Sequence, residues 1–136
     1  MEISFEIAGK PMSKQRPRMT KKGFVYTPKE TIAYENYIKC VFQNKYPSHE
    51  PFTGIVEADI KAIFPVPKSY SKKKTKELLE THDNYTHKPD LDNIAKIVLD
   101  SLNGIAYRDD SQVTILHLNK EYGVQPKVIV KLEEKS

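Results

Sequence analysis

The chain has one cysteine, five glycines and no tryptophan among its 136 residues. A lone thiol, Cys40, excludes an intrachain disulfide. Its place in an amphipathic helix pattern predicts a buried thiol rather than a nucleophile. The glycines stand singly, at 9, 23, 54, 104 and 123. There is therefore no Gly-rich phosphate loop of the P-loop type, which argues against a nucleotide phosphohydrolase. No run approaches the roughly 18 apolar residues of a membrane span. Residues 1–9 lack the basic start and long apolar stretch of a secretion signal. Repeats, linkers and low-complexity segments are also lacking. The protein is expected to be soluble and cytoplasmic, with residues 1–136 as a single domain and no membrane partner.

Charge is plentiful. Twenty-two Lys and Arg face eighteen Asp and Glu, for a net +4, and 29% of residues are charged. The pI is near 9.0. This balance is compatible with a polyanionic partner without establishing one. Hydrophobic residues make up 38%, enough for a modest core.

Ile3, Phe5 and Ile7 alternate with polar neighbours and predict a half-buried strand. Residues 10–22 hold Lys10, Lys14, Arg16, Arg18, Lys21 and Lys22 with no acid between them, and the prolines make this a loop. Phe24-Val25-Tyr26 reads as a short extended piece. Thr27 as cap, Pro28 at the first helical position and Glu30 closing a capping box predict a helix. Tyr34, Tyr37, Ile38, Val41 and Phe42 carry it to about Tyr46, with core packing preferred to base stacking. Val56, Ala58, Ile60, Ala62 and Phe64 predict a strand from Gly54 to Phe64, and Ile55 and Ile63 break its polar face. A lysine-rich helix follows from Ser69 or Ser71 to about Thr81, with Lys72, Lys73 and Lys74 on a face that is either solvated or tracks a phosphate backbone. A loop from Asp83 to Pro89 leads onward, and its His87 reads as solvated. Two closing strands, through about Asn119 and from Val128 to Leu132, are expected to form a hairpin.

One stretch organises the rest. In His87-Lys-Pro-Asp90-Leu-Asp92-Asn93-Ile-Ala-Lys96, Pro89 biases the residue before it away from helix, so a helix starts just after. Ile94, Ile97, Val98, Ser101, Leu102 and Ile105 span an arc of about 140°. Asp92, Asn93, Lys96, Asp100 and Asn103 lie roughly opposite, and Leu99 falls at the edge. Asn103-Gly104 is the stop. Asp109-Asp110 then precede a strand and could return beside the helix start. Three converging carboxylates repel one another unless a cation lies between them, and oxygen ligands of this kind suit Mg²⁺ or Mn²⁺. The competing reading makes Asp90 or Asp92 an N-cap and Asp109-Asp110 a turn. Lys96 follows Asp92 by one helical turn, as an ion pair or as a cation for a phosphate. Asp100 reads as an ion-pair partner of Lys96.

Lys88-Pro-Asp90-Leu-Asp92-Asn93-Ile-Ala-Lys96, Asp100-Ser-Leu-Asn103-Gly104 and Asp109-Asp110-Ser-Gln112-Val113 together resemble the signature of the RusA family of Holliday junction resolvases. Gly9-Lys-Pro-Met-Ser-Lys14-Gln-Arg16-Pro-Arg18 resembles the family's opening. The resemblance implies a single RusA-like α+β domain, with a small mixed or antiparallel sheet and about three helices. It implies an endodeoxyribonuclease that acts as a homodimer on four-way junction DNA. Asp90, Asp92 and Asp110 match the catalytic, Mg²⁺-holding acids, with Mn²⁺ a possible substitute, and Lys96 matches a functional lysine. Asn93 and Asp109 are secondary candidates. Lys14, Arg16 and Arg18, with Lys72, Lys73 and Lys74, are the expected DNA contacts. The alternative is a non-catalytic DNA-binding protein using segments 10–22 and 68–76.

Overall fold

The computed structural model describes residues 1–81 and 84–135. In chain order the strands and helices are β1 (Glu2–Ala8), β2 (Arg18–Met19), β3 (Val25–Tyr26), α1 (Lys29–Lys45), β4 (Ile55–Pro65), α2 (Lys72–Glu80), α3 (Leu91–Ser101), β5 (Val113–Gly123) and β6 (Lys127–Lys135). A single 3₁₀ turn, Asp110–Gln112, precedes β5. The fold is α+β, with a mixed four-stranded sheet in the order β1-β6-β4-β5 and a separate β2-β3 ribbon. The expected loop from Asp83 begins outside the described residues.

The alternation of the first strand is borne out, because Ile3, Phe5 and Ile7 are all buried. Val56, Ala58, Ile60, Ala62 and Phe64 are fully buried on β4, as are Val128, Val130 and Leu132 on β6. On this face of the sheet pack Tyr34, Ile38 and Phe42 of α1 and Ile94, Ile97 and Val98 of α3. The opposite face is polar. Pairs such as Lys61–Glu121, Lys131–Glu2 and Lys135–Glu57, at 3.7–4.0 Å, lie across neighbouring strands there. The result is two layers, helices on one face and water on the other.

The closing strands do not form the expected hairpin. β6 lies between β1 and β4, antiparallel to both, and β5 runs parallel to β4 at the sheet edge. Burial explains the exchange. β6 has a fully apolar core face and needs a neighbour on each side, whereas most of β5 is exposed or half-buried. β4 ends at Pro65, opposite Gly123, so residues 124–126 can step past its end.

Two further expectations change. Pro28, not Thr27, is the residue preceding α1, and no side chain among the described residues caps the helix. The Pro28 carbonyl takes the amides of Thr31 and Ile32 instead. Cys40 is exposed on α1, within 3.6 Å of the Asn44 amide nitrogen, and is not a core thiol. Ser71 caps α2 as expected, accepting from Lys74 N at 3.1 Å. Gly104 ends the turn after α3 at φ 77°, a conformation that favours glycine.

Ile63, which broke the β4 pattern, has a structural reason. A Cβ at Gly123 would lie 2.3 Å from Ile63 Cγ2, so the missing side chain of one strand makes room for the branched side chain of the next. Gly123→Ala is expected to destabilise the fold by about 1–3 kcal/mol through overpacking. Urea unfolding should show a lower midpoint at constant slope. The same change in an Ile63→Ala background should cost measurably less, and equal costs in both would reject the packing argument.

Candidate active site

The start of α3 is held from three sides. Within the helix, Ile94 N donates to Asp90 O at 3.1 Å. From β5, Lys120 Nζ donates to the carbonyls of His87, at 2.9 Å, and Pro89, at 3.1 Å. From the basic loop, Lys14 N donates to Asn93 O at 3.1 Å. Pro11 is buried and Met12 packs against the core, so the loop is anchored just before this contact.

Asp90 occupies the N-cap position of α3, yet its side chain makes no capping bond. The carboxylates of Asp90 and Asp92 and the ammonium of Lys96 are exposed. None has a hydrogen bond or ion pair among the described residues. The cap reading thus accounts for the position of Asp90 but not for its carboxylate. Nor does Lys96 pair with Asp100. That acid lies 3.4 Å from Lys14 Nζ, which also meets Glu35 at 2.9 Å. Burial works against the Lys14 charge, but the carboxylates of Glu35 and Asp100 outweigh it and hold its pKa above the ordinary lysine value. Lys14 therefore ties the loop to α1 and α3, an employment its place in a basic run did not announce.

The Asp109-Asp110 pair divides its labour. Asp109 Oδ2 accepts from Ser111 N at 3.1 Å, and Gln112 Oε1 accepts from Asp109 N at 2.9 Å, closing a capping box. The Ser111 hydrogen bonds hold the Asp109 carboxyl below its usual range. Asp110, half-buried, has no such partner among the described residues. Nearby, Tyr107 OH donates to Leu99 O at 2.6 Å. Burial, then the charges of Asp110, Asp100 and Asp109, push this phenol's pKa up.

These contacts give α3 a direction. Its start lies beside Lys120 and Leu99 lies beside Tyr107, so the helix runs opposite to β5. Leu99 is nine residues beyond Asp90, about 13 Å along the axis. Asp110 accordingly falls nearer the last turns of α3, with Lys96 on the helix between it and Asp90. Among the described residues, no three His, Cys, Asp or Glu side chains are grouped to hold a metal ion.

A cavity of about 430 Å³ separates the basic loop from the helix start, lined by Lys10, Ser13, Gln15, Lys88, Asp90 and Asn93 among others. Beyond it, Arg16 and Arg18 are exposed without partners among the described residues. Arg18 lies on the β2-β3 ribbon, paired with Tyr26, and this ribbon exposes Met19, Phe24 and Val25 as well. Lys72, Lys73 and Lys74 are exposed on the first turn of α2. Sequence reading missed Lys120, which follows the apolar part of β5. Nothing in its neighbours marks it as the tether of a loop 31 to 33 residues earlier.

Fold and site together define a basic α+β protein in which a cationic loop opposes a helix bearing uncommitted carboxylates. The chain belongs to the RusA endodeoxyribonuclease family, whose profile, described as Endodeoxyribonuclease RusA, matches residues 8–133. Membership supports an endonuclease that resolves Holliday junctions. A relative in Bacillus subtilis strain 168, named Uncharacterized protein YqaN, is 37% identical over 139 residues, covering 98% of this chain and 97% of the relative. No helix among the described residues is long and apolar enough to cross a membrane.

Proposed function

We propose that the chain cuts four-way DNA junctions by Mg²⁺-dependent phosphodiester hydrolysis, with Mn²⁺ able to substitute. The observation that carries this reading is Asp90, an N-cap residue whose carboxylate does not cap, two residues from the equally uncommitted Asp92. Near phosphate, free carboxylates are unfavourable unless a cation joins them. Mg²⁺ commonly takes one or two carboxylates plus substrate oxygens and keeps several waters. Asp90 and Asp92 fit that demand. Asp110 is the third acid of the set and reaches the same cation only if the two ends of the site draw together.

Asp90 and Asp92 would hold the cation, and when bound it would supply a lower pKa for the attacking water and positive charge to offset that on phosphorus. The protein's own groups do the rest. Arg16 and Arg18 contact phosphates flanking the cut, and the lysines of α2 extend the track. Lys96, free of ion pairs among the described residues, places positive charge at the scissile phosphate as negative charge grows there. Asn93 and Asp109 hold backbone in place.

Two symmetric cuts call for two copies of the chain. The sheet offers one edge for this. Side chains of α1 and of Tyr46 just after it cover β1: Lys45 Nζ and Tyr46 OH donate to Ser4 O, and Tyr37 OH donates to Ala8 O. β5 is the other edge, and its Ile115 and Leu116 are 43% and 39% exposed. A strand whose outer edge has no strand neighbour among the described residues suits a second copy.

The test is cleavage of a labelled mobile four-way junction with Mg²⁺ or with EDTA, beside linear duplex. Paired, cation-dependent nicks confined to the junction are expected. Binding without cleavage in either Mg²⁺ or Mn²⁺ would return the protein to the DNA-binding alternative.

A further inference from the structure

A second cavity lies next to the first. It measures about 280 Å³ and is lined by Tyr70, Tyr85, His87 and Tyr122, two prolines and Lys10. Lys10 also lines the cavity that contains Asp90, so the two spaces share a wall. His87 and Asp90 stand three residues apart on one segment, which Lys120 ties down from β5.

The aromatic groups are built into the fold. Tyr85 stacks on the buried Phe64 with ring centroids 3.9 Å apart and planes 6° from parallel. Tyr122 meets Tyr85 edge to face at 5.0 Å, and His87 does so at 5.5 Å. Cations attend them: Lys74 Nζ lies 4.1 Å from the Tyr70 ring centre and Lys120 Nζ 5.6 Å from that of Tyr85. Ordinary core packing would use up these ring surfaces. Here space remains among them, and the hydroxyls of Tyr70 and Tyr122 have no hydrogen-bond partner among the described residues. Burial and then the neighbouring phenols push the Tyr85 and Tyr122 pKa values up.

We propose that this cavity takes one unstacked nucleobase of the DNA substrate and so sets where the strand is cut. The inference rests on the nuclease reading above and adds a specificity subsite to it. A cavity near the lower end of the ~300–1,000 Å³ range of small-ligand pockets suits a single base. Aromatic faces stack on any base, and hydroxyl groups beside them can discriminate its polar edge. The site for the base and the site for the phosphate are contiguous through Lys10, as a nucleotide is. Pulling a base from its stack costs least where pairing is already disturbed, as at a branch point. A base held here would register the backbone against Asp90 and Asp92, and bases that stack or hydrogen-bond poorly would be cut less.

The experiment uses four-way junctions carrying 5-iododeoxyuridine at single positions around the branch point. Complexes with the full chain are irradiated in EDTA, and the cross-linked peptide is mapped. Cross-linking to Tyr70, Tyr85, His87 or Tyr122 is expected, lost in Tyr70→Ala and kept in Tyr70→Phe. In Mg²⁺, the ratio of the best to the poorest cut site on a mobile junction should fall about fivefold or more in Tyr70→Ala, the scale of one lost stacking contact. Should Tyr70→Ala not fold, His87→Ala, at an exposed position, carries both readouts. Cross-links only elsewhere, no cross-link in a formed complex, or wild-type site ratios in the alanine variants would each overturn the proposal. Absence of cleavage by the wild type would instead sink the nuclease reading, and the EDTA cross-link would still judge the cavity.

Discussion

Asp92→Asn is expected to lower junction cleavage by about two orders of magnitude or more while leaving junction binding intact or slightly tighter. The change keeps the shape of the side chain and removes its charge. Loss of one preorganised charge-stabilising contact costs on that scale in enzymes that depend on it. Stability should barely respond, because the carboxylate is exposed and unpaired, so no hydrogen bond or ion pair among the described residues is broken. Binding gains if anything, since one negative charge beside phosphate disappears. Cleavage in Mg²⁺ and gel-shift affinity in EDTA separate the two effects. A homogeneous Asp92→Asn protein that cuts at the wild-type rate removes Asp92 from the site.

The second large effect is expected from Arg16→Ala combined with Arg18→Ala. Both guanidinium groups are exposed and have no partner among the described residues. Each phosphate contact contributes about 0.9 to the slope of log affinity against log salt, so the slope should fall by about 1.8. Affinity at low salt should drop, with little change in the discrimination among base sequences, because phosphate contacts position the DNA without reading it. Titrations at several salt concentrations measure both quantities. An unchanged slope would take the loop off the DNA surface. Lys14 stands apart in this respect: its ammonium meets Glu35 and Asp100, so phosphate has to compete with two carboxylates for it.

Local pattern made much of this legible. The alternation through β1, β4 and β6 and the 3.6-residue period of α3 depend on each residue's own neighbours, and burial follows both. Pairing is different. Whether β6 joins β5 or slips between β1 and β4 depends on which faces need covering, a property of the whole sheet. The same holds for Lys14, whose partners lie 21 and 86 positions away, and for Cys40, whose helix turns it outward. The Thr27 cap failed for another reason. Its three-residue spacing to Glu30 matches a capping box, but the helix begins one residue later than the box requires. At the site, residue types and spacing were readable around Asp90, Asp92 and Lys96. The distance along α3 to Asp110 was not, because it depends on how the chain returns through Tyr107.

The Lys120 tether bears on affinity through conformational entropy. Ordering a free loop costs on the order of 1–2 kcal/mol per residue. With the carbonyls of His87 and Pro89 held by an ammonium from the sheet, the segment between them loses that freedom when the protein folds. It need not lose it again when DNA arrives, so contact energy made there goes into affinity rather than into ordering the loop.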